Sequence, residues 1–155
     1  MKLVVLCDNI RSTLNVGAVF RSADALGVSK IYLSGITATP EDKKVAKTAL
    51  GAEKTVSWEH VWNTPETLAR LKKEGYEIVS LEEVKGAVWY FDYKLPKKMC
   101  LVLGNEVEGV TLEVLKMSDA IVKIPMLKTK ESLNVATAFA VVGFDFLRRS
   151  KYGKK

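Results

Sequence analysis

The stretch from Cys100 to Gly109 reads CLVLGNEVEG and decides the fold class. Its first four residues are apolar without interruption, which is typical of a strand covered on both faces of a parallel sheet. Gly104 ends the strand and lets a ligand approach the backbone, and Glu106 and Glu108 follow in a loop. On this segment alone, a strand-to-helix turn with solvated acids is enough to explain the two carboxylates.

Outward from this segment, short apolar runs alternate with helical patterns, which predicts βαβ units and a parallel sheet. We predict strands at Leu3–Cys7, Lys30–Leu33, Thr55–Trp58, Glu77–Leu81, Cys100–Leu103 and Ala120–Ile124. The fold class is therefore α/β. No linker, internal repeat or shift in composition divides residues 1–155, which we expect to form a single domain.

Three helices can be recognised from the residues at their ends. They have a polar cap residue, acids or a proline in the first turn, or a glycine at the end. The predicted helices run from Asn15 to Leu26, from Thr39 to Gly51 and from Thr64 to Gly75.

A last helix is predicted from Ala136 to Leu147, where nearly every residue is apolar. A helix that is apolar all round must be covered all round. The small residues Ala136, Ala140 and Gly143 recur at near-helical spacing and would let another backbone approach closely. The helix is either a deeply buried core element or, as we favour in so small a domain, part of an interface with a second copy of the chain.

Composition limits the classes of function. The net charge of +6 favours a polyanionic partner such as nucleic acid. Two cysteines and one histidine without CxxC or HExxH spacing make a metal site unexpected. No apolar run approaches the roughly 20 residues that span a bilayer, and the first residues lack a signal-peptide pattern. We expect a cytoplasmic protein with reduced, buried Cys7 and Cys100.

Two further segments place polar residues at a helix start beside a strand. Asn9–Arg21 follows the first strand, and Ile124–Val135 joins the last strand to the apolar helix. The carboxyl ends of parallel strands meet at one edge of the sheet, where open α/β folds bind ligands. Capping explains Asn15, and either Ser132 or Asn134, but not two polar residues beside one helix start. Neither G-x-G-x-x-G nor a P-loop is present, so the common phosphate-binding loops are excluded.

In order along the chain, these segments resemble the three motifs of the SpoU branch of the SPOUT RNA methyltransferases. NVGAVFRSADALG (Asn15–Gly27) resembles the first motif, LVLGNEVEG (Leu101–Gly109) the second, and IPM…SLNVA (Ile124–Ala136) the third. KTALGAEK (Lys47–Lys54) is also typical of the family. Each motif is weak alone, but three in order make a specific match, and the resemblance covers essentially the whole chain.

The resemblance implies a parallel-sheet α/β domain with a C-terminal deep trefoil knot, and a homodimer that completes the active site. It implies methyl transfer from S-adenosylmethionine to a ribose 2′-hydroxyl of RNA. The first strand begins at once, as in minimal members that act on tRNA, so tRNA is the expected substrate and rRNA the alternative. By resemblance, the cofactor pocket is lined by Leu103, Gly104, Asn105, Glu106, Ile124, Met126 and Leu133.

The resemblance also implies roles for individual residues. Arg21 matches the arginine that the family uses in catalysis. A guanidinium does not deprotonate near neutral pH, so we interpret Arg21 as a fork that binds the target phosphate and stabilises the forming alkoxide. Asn15 and Asn134 would orient the ribose. Glu106 would hold the loop or a basic partner group, and Ser132 would contact substrate or cap the helix.

Basic residues supply the expected contacts with RNA phosphates. Those assigned to this role are Arg11, Lys43, Lys44, Lys47, Lys128 and Lys130.

Three alternatives stay open. The chain is a non-catalytic RNA-binding or assembly protein on the same fold, a base methyltransferase of the wider superfamily, or a small-molecule α/β enzyme that uses another nucleotide. Asp145 follows Phe144 where relatives often have glutamate after an aromatic residue, which is a mild departure from the family pattern.

Overall fold

The structure is a computed structural model that describes residues 1–127 and 132–153. Its strands are β1 (Lys2–Asp8), β2 (Lys30–Ser34), β3 (Trp58–Val61), β4 (Glu77–Leu81), β5 (Val88–Trp89), β6 (Lys98–Leu103) and β7 (Ala120–Lys123). They form a 7-stranded sheet in the order β3-β2-β1-β6-β4-β7-β5, and every neighbouring pair is parallel. The predicted α/β fold with a parallel sheet is confirmed.

Helices cover both faces of this sheet. They are α1 (Thr13–Leu26), α2 (Lys43–Ala49), α3 (Ala52–Thr55), α4 (Thr64–Lys73), α5 (Leu112–Met117) and α6 (Val135–Leu147), followed by a π-helical turn at Arg148–Tyr152. One core cluster joins α1, α2 and α6 to the sheet around the buried rings of Phe20, Phe139 and Phe146. The other joins α4 and α5 to the opposite face. None of the helices in the described ranges is long and apolar enough to cross a membrane.

The strand register brings four strand ends to the same level. Cys7 of β1 is level with Leu103 of β6, Leu103 with Leu81 of β4, and Leu81 with Val122 of β7. The segments that follow these four strands therefore leave the sheet side by side at its carboxyl edge. Both cysteines are buried free thiols, as predicted, and burial raises the pKa of Cys7 to about 12.

The prediction of a strand at Thr55–Trp58 is wrong. Thr55 ends α3, and the strand is Trp58–Val61, which pairs with β2. Leu50 and Gly51 both adopt positive φ, which ends α2 and starts a second short helix that carries the chain on to Thr55. The two-residue β5 was not predicted, because so short a strand has no readable alternation.

The N-cap residues of three predicted helices are displaced by one to three residues. Ser12, not Asn15, caps α1 by accepting a hydrogen bond from the N–H of Asn15. Asp42 caps α2 through the N–H of Lys44, so this helix begins four residues after Thr39.

In the third case Asn63 rather than Thr64 caps α4, because the buried Thr64 hydroxyl is bonded to Asp8 and Ser34. Gly27, with φ of 66°, ends α1 as predicted.

The small residues of α6 lie mostly inside the chain. Ala136 and Gly143 are buried, and a Cβ on Gly143 would lie 2.5 Å from Leu26 Cδ1, so the glycine lets α6 approach α1. The expectation that these two residues meet a second chain is therefore wrong. The outward face of α6 instead carries Val141 and Phe144, which are 38% and 47% exposed.

Candidate active site at the carboxyl edge of the sheet

A cleft of about 520 Å³ lies where the segments after β4, β6 and β7 leave the sheet. All seven residues that the resemblance assigns to the cofactor pocket line this cleft: Leu103, Gly104, Asn105, Glu106, Ile124, Met126 and Leu133. Asn15, Ser132 and Asn134 line it as well. The structure thus brings the polar segments together in space, while their role in binding a cofactor stays a prediction.

The loop after β6 is closed on itself. The N–H of Gly109 donates to the carbonyl of Asn105 at 2.9 Å, and the N–H of Asn105 donates back at 3.2 Å. The side-chain oxygen of Asn105 accepts from the N–H groups of Val107 and Glu108. A Cβ on Gly104 would lie 2.4 Å from the backbone of Gly109, so only glycine fits at the base of the loop. The backbone that faces the cleft is therefore held rigidly.

Glu106 ties this loop to the start of α1. One carboxylate oxygen accepts from the N–H of Arg11 at 2.8 Å. The other accepts from the N–H of Ser12 at 3.0 Å and from the amide of Asn15 at 2.9 Å. Partial burial raises the pKa of Glu106, but these hydrogen bonds outweigh it and the pKa lies below its usual value. The carboxylate is thus charged near neutral pH at the positive end of the α1 dipole.

A second link joins α1 to α6. The amide of Asn134 donates to the side-chain oxygen of Asn15 at 2.8 Å. The side-chain oxygen of Asn134 accepts from the N–H groups of Ala136 and Thr137, so Asn134 is the predicted cap of α6. Glu106, Asn15 and Asn134 consequently form one hydrogen-bonded chain across the three motif segments.

Arg21 is not part of this cleft in its own chain. It is exposed on α1 and absent from the residues that line the cleft. It lies six residues beyond Asn15, which is about 9 Å along a helix at roughly 1.5 Å per residue. One chain therefore assembles the two asparagines, Ser132 and Glu106 without the arginine.

The basic residues assigned to RNA lie on two surfaces. Lys43, Lys44 and Lys47 are exposed on α2, and Arg11 is exposed at the start of the segment that follows β1. The other two, Lys128 and Lys130, lie outside the described residues. The α2 lysines stand close to the first half of α1, because Gly17 of α1 is in contact with Val45 and Thr48.

Sequence reasoning missed Glu82, which lines the cleft and accepts a 2.8 Å hydrogen bond from the N–H of Val110. It also missed Lys123, which pairs with Glu83 at 3.0 Å and lies over the ring of Trp89. Glu82 follows β4 directly, so the rule that ligands bind at the carboxyl ends of parallel strands would have identified it. In the described part of the chain, no group of three His, Cys, Asp or Glu side chains could hold a metal ion.

Relatives of known function are similar to this sequence over most of its length. A tRNA (guanosine(18)-2′-O)-methyltransferase of Aquifex aeolicus is 32% identical over 148 residues, which are 95% of this chain and 69% of that protein. A 23S rRNA (guanosine-2′-O-)-methyltransferase of Neisseria meningitidis is 33% identical over 140 residues, 90% of this chain and 56% of that protein. The chain thus spans only part of the length of these relatives.

Solved structures share the fold. The SpoU methyltransferase AviRb of Streptomyces viridochromogenes, in complex with the cofactor AdoMet, superposes with a TM-score of 0.91 at 27% identity. The match covers 98% of this chain and 62% of that one. A structure described as giving insight into 2-OH methylation of C/U34 on tRNA covers 99% of this chain and 98% of its own, with a TM-score of 0.85. At 22% identity, that likeness concerns the fold alone.

The family assignment rests on the full extent of the sequence rather than on a single motif. A profile of the SpoU rRNA Methylase family matches residues 2–144, which include all three motif segments and the residues that line the cleft. The chain belongs to the SpoU rRNA Methylase family.

Proposed function

We propose that this chain transfers a methyl group from S-adenosylmethionine to a ribose 2′-hydroxyl of RNA, with tRNA as the expected substrate. One observation carries the proposal. The residues expected to bind the methyl donor and those expected to orient the ribose line a single cleft at the carboxyl edge of the sheet. The relatives of known function are named as 2′-O-methyltransferases of tRNA and 23S rRNA, which supports the same reaction.

The cleft fits a donor of this kind. Its volume of about 520 Å³ lies within the range of small-molecule sites. Leu103, Ile124 and Met126 offer apolar surface for a purine ring, and the rigid loop after β6 offers backbone donors and acceptors. The bound donor would supply an electrophilic methyl group on a sulfonium centre.

The chain's own residues would mainly position the hydroxyl. Asn15 and Asn134 are held in place by each other and by Glu106, so their polar groups need no rearrangement when the ribose arrives. Both oxygens of Glu106 already accept hydrogen bonds, so this carboxylate is poorly placed to take a proton from the substrate. Its role in the proposal is to hold the loop. Ser132, at the rim of the cleft, would contact the substrate.

The proposal includes a homodimer. Arg21 lies outside the cleft of its own chain, and a second chain could bring its Arg21 to the cleft to bind the target phosphate. The exposed side chains of Leu14, Val141 and Phe144 on the adjacent helices α1 and α6 supply apolar surface for such contact. The proposal also includes a C-terminal deep trefoil knot, which rests on the family resemblance, and a cytoplasmic location.

Two substrates remain within the proposal. The Aquifex aeolicus relative acts on tRNA, which favours tRNA. The Neisseria meningitidis relative acts on 23S rRNA, which makes rRNA the second candidate.

The deciding experiment is transfer of labelled methyl from S-adenosylmethionine to unmodified tRNA and to rRNA. We expect label in 2′-O-methylated nucleotides of tRNA. In Arg21→Ala we expect a rate lower by about 100-fold or more, the usual effect of losing one group that stabilises developing charge. Lys73→Ala, an exposed lysine on α4, is the control and should retain full activity.

Each other outcome has a distinct meaning. Label in rRNA alone would select the second substrate. Donor and RNA binding without transfer to either RNA would favour the non-catalytic RNA-binding alternative. A wild-type chain that does not bind S-adenosylmethionine would contradict the proposed reaction.

A further inference from the structure

A second cleft, of about 360 Å³, adjoins the donor cleft across the loop after β6. The two clefts share Asn105, Val107 and Gly109, so this loop is the wall between them. The remaining residues that line the second cleft are Asp8, Asn9, Arg11, Ile36, Glu108 and Thr111. It therefore opens at the ends of β1 and β2, next to the place where a ribose would meet the methyl donor.

Asp8 is the unusual residue of this second cleft. It is the last residue of β1 and only 3% exposed, yet it lines the cleft. The hydroxyl of Thr64 and the amide of Asn9 both donate to the same oxygen, Oδ1. Among the described residues no donor is paired with Oδ2, and no salt bridge involves Asp8.

Oδ2 is not among the fully buried side-chain atoms that lack a partner, so it is accessible at the surface of the cleft, where a ligand can donate a hydrogen bond to it. Burial raises the pKa of Asp8, against the hydrogen bonds from Thr64 and Asn9, which lower it. A further hydrogen bond donated by a ligand would therefore stabilise the charged form of this carboxylate.

The other walls complement this acceptor. Arg11 lines the cleft with an exposed side chain, whose guanidinium is available to donate to a ligand. Ile36 and Val107 supply apolar surface and are 67% and 74% exposed. Apolar walls with hydrogen-bonding groups at the edge suit a planar nucleobase, whose faces are apolar and whose edges carry donors and acceptors. Glu108 also lines this cleft, but its side chain is exposed and solvated.

We propose that the second cleft binds a guanine base of the RNA, at or next to the methylated nucleotide, with Asp8 accepting from the base and Arg11 donating to it. Guanine offers a carboxylate two neighbouring donors, N1–H and N2–H. Its O6 and N7 form the acceptor pair that an arginine binds with two hydrogen bonds. This assignment rests on the proposed function, since it takes RNA to be the substrate.

The test is binding of GMP and UMP to this chain, measured by nuclear magnetic resonance titration. We expect the wild type to bind GMP more tightly than UMP. In Asp8→Asn, GMP affinity should fall by about tenfold, to the level of UMP, because a hydrogen bond to a charged group is lost. Glu113→Gln removes an exposed carboxylate of α5 that lines neither cleft and should leave the preference for GMP unchanged.

Thr64→Val separates base recognition from a structural role of Asp8. It removes a hydrogen bond to Oδ1 and leaves Oδ2 in the cleft. We expect Thr64→Val to lower the melting temperature and to retain the GMP preference. If Thr64→Val loses GMP affinity as Asp8→Asn does, or if the wild type does not prefer GMP to UMP, the proposal is overturned.

Titration with S-adenosylmethionine on the same samples keeps the two proposals distinct. Asp8 does not line the donor cleft, so Asp8→Asn should bind the donor as the wild type does. A wild type that prefers GMP but does not bind the donor would contradict the proposed reaction and support the base cleft. Donor binding without a GMP preference would overturn the base cleft alone.

Discussion

Glu106 and Asn134 each serve two segments of the chain at once. Glu106 lies in the loop after β6 and accepts from three donors in residues 11–15, so it joins that loop to the start of α1. Asn134 caps α6 with its oxygen and orients Asn15 with its amide. The cap would form without Asn15, and the turn after β6 would form without α1. Helix capping and loop closure alone therefore do not explain why these two side chains bind Asn15 and the start of α1.

Glu106→Gln tests this link. The substitution keeps the shape of the side chain but replaces one acceptor with an N–H₂ group that faces other donors. We expect the free energy of unfolding to fall by about 1 kcal/mol after discounting for solvent screening. Weaker binding of S-adenosylmethionine should accompany it. Thermal unfolding and donor titration measure the two effects, and Glu108→Gln in the same loop is the control.

The stability difference between the wild type and Glu106→Gln should also depend on pH. The pKa of Glu106 is lowered in the folded chain. Its contribution to stability is therefore fully present above the unfolded-state pKa of about 4.3 and is lost as the pH falls through the lower folded value. The difference in melting temperature between wild type and Glu106→Gln should be constant from about pH 6 to 8 and should shrink below about pH 4.3. An unchanged difference at lower pH would mean that the charge is not responsible.

At the scale of helices and strands, the sequence predicts best where one residue pattern suffices. Glu77–Leu81 was predicted with the observed bounds, and β6 was found from its continuous apolar run. The strand at Trp58–Val61 was misplaced because the positive φ of Leu50, a residue that rarely adopts it, has no clear signal in sequence. Similarly, Asn15 has a good cap side chain, and only the structure reveals that Ser12 takes that role.

For the candidate site, the sequence predicts which residues line the cleft but not which hydrogen bonds they form. The strand-end rule places the three motif segments at one edge, so the cofactor-lining residues follow from sequence and resemblance. The contact between Glu106 and Asn15 spans 91 residues of sequence, and that between Asn134 and Asn15 spans 119. Which partner each side chain selects depends on the register of β1 against β6, and no local pattern determines that register. Asp8 was missed because a single acid at a strand end resembles any solvated carboxylate.

Gly17 determines how closely α1 packs against α2. A Cβ at this position would lie 2.5 Å from Thr48 Cβ and 2.7 Å from the carbonyl oxygen of Val45. Glycine in a helix costs about 1 kcal/mol of propensity relative to alanine, so Gly17→Ala would stabilise an isolated helix. Overpacking against a backbone carbonyl costs about 1–3 kcal/mol, which is larger. We therefore expect Gly17→Ala to lower the free energy of unfolding.

Chemical denaturation measures this effect, with the exposed Lys47→Ala on α2 as the control. If Gly17→Ala raises stability, α1 and α2 are farther apart than the structure places them.

For the molecule as a whole, the carboxyl edge of the sheet collects what the proposed reaction needs, except Arg21. From β2 to β7, this edge presents the proposed base cleft, the loop after β6 and the donor cleft in turn. The exposed α2 lysines lie beside α1 on one flank of this edge, where they could contact RNA phosphates. The arginine and the apolar residues Leu14 and Phe144 instead lie on the outward faces of α1 and α6. An active site that lacks one group, beside an exposed apolar surface, is the arrangement expected of a protomer that completes its partner.

Phe144→Glu tests that arrangement. Phe144 is 47% exposed on α6, so a charge there should leave the fold intact while opposing contact between two apolar surfaces. We expect a dimer in the wild type and a monomer in the variant by light scattering. Because the donor cleft is built within one chain, the variant should still bind S-adenosylmethionine, yet it should lose methyl transfer, as Arg21→Ala does.

Trp62→Glu places the same charge on an exposed aromatic residue beyond β3 and should remain a dimer. A monomeric wild type with full activity, or a monomeric Phe144→Glu that still transfers methyl groups, would mean that Arg21 acts within its own chain or not at all.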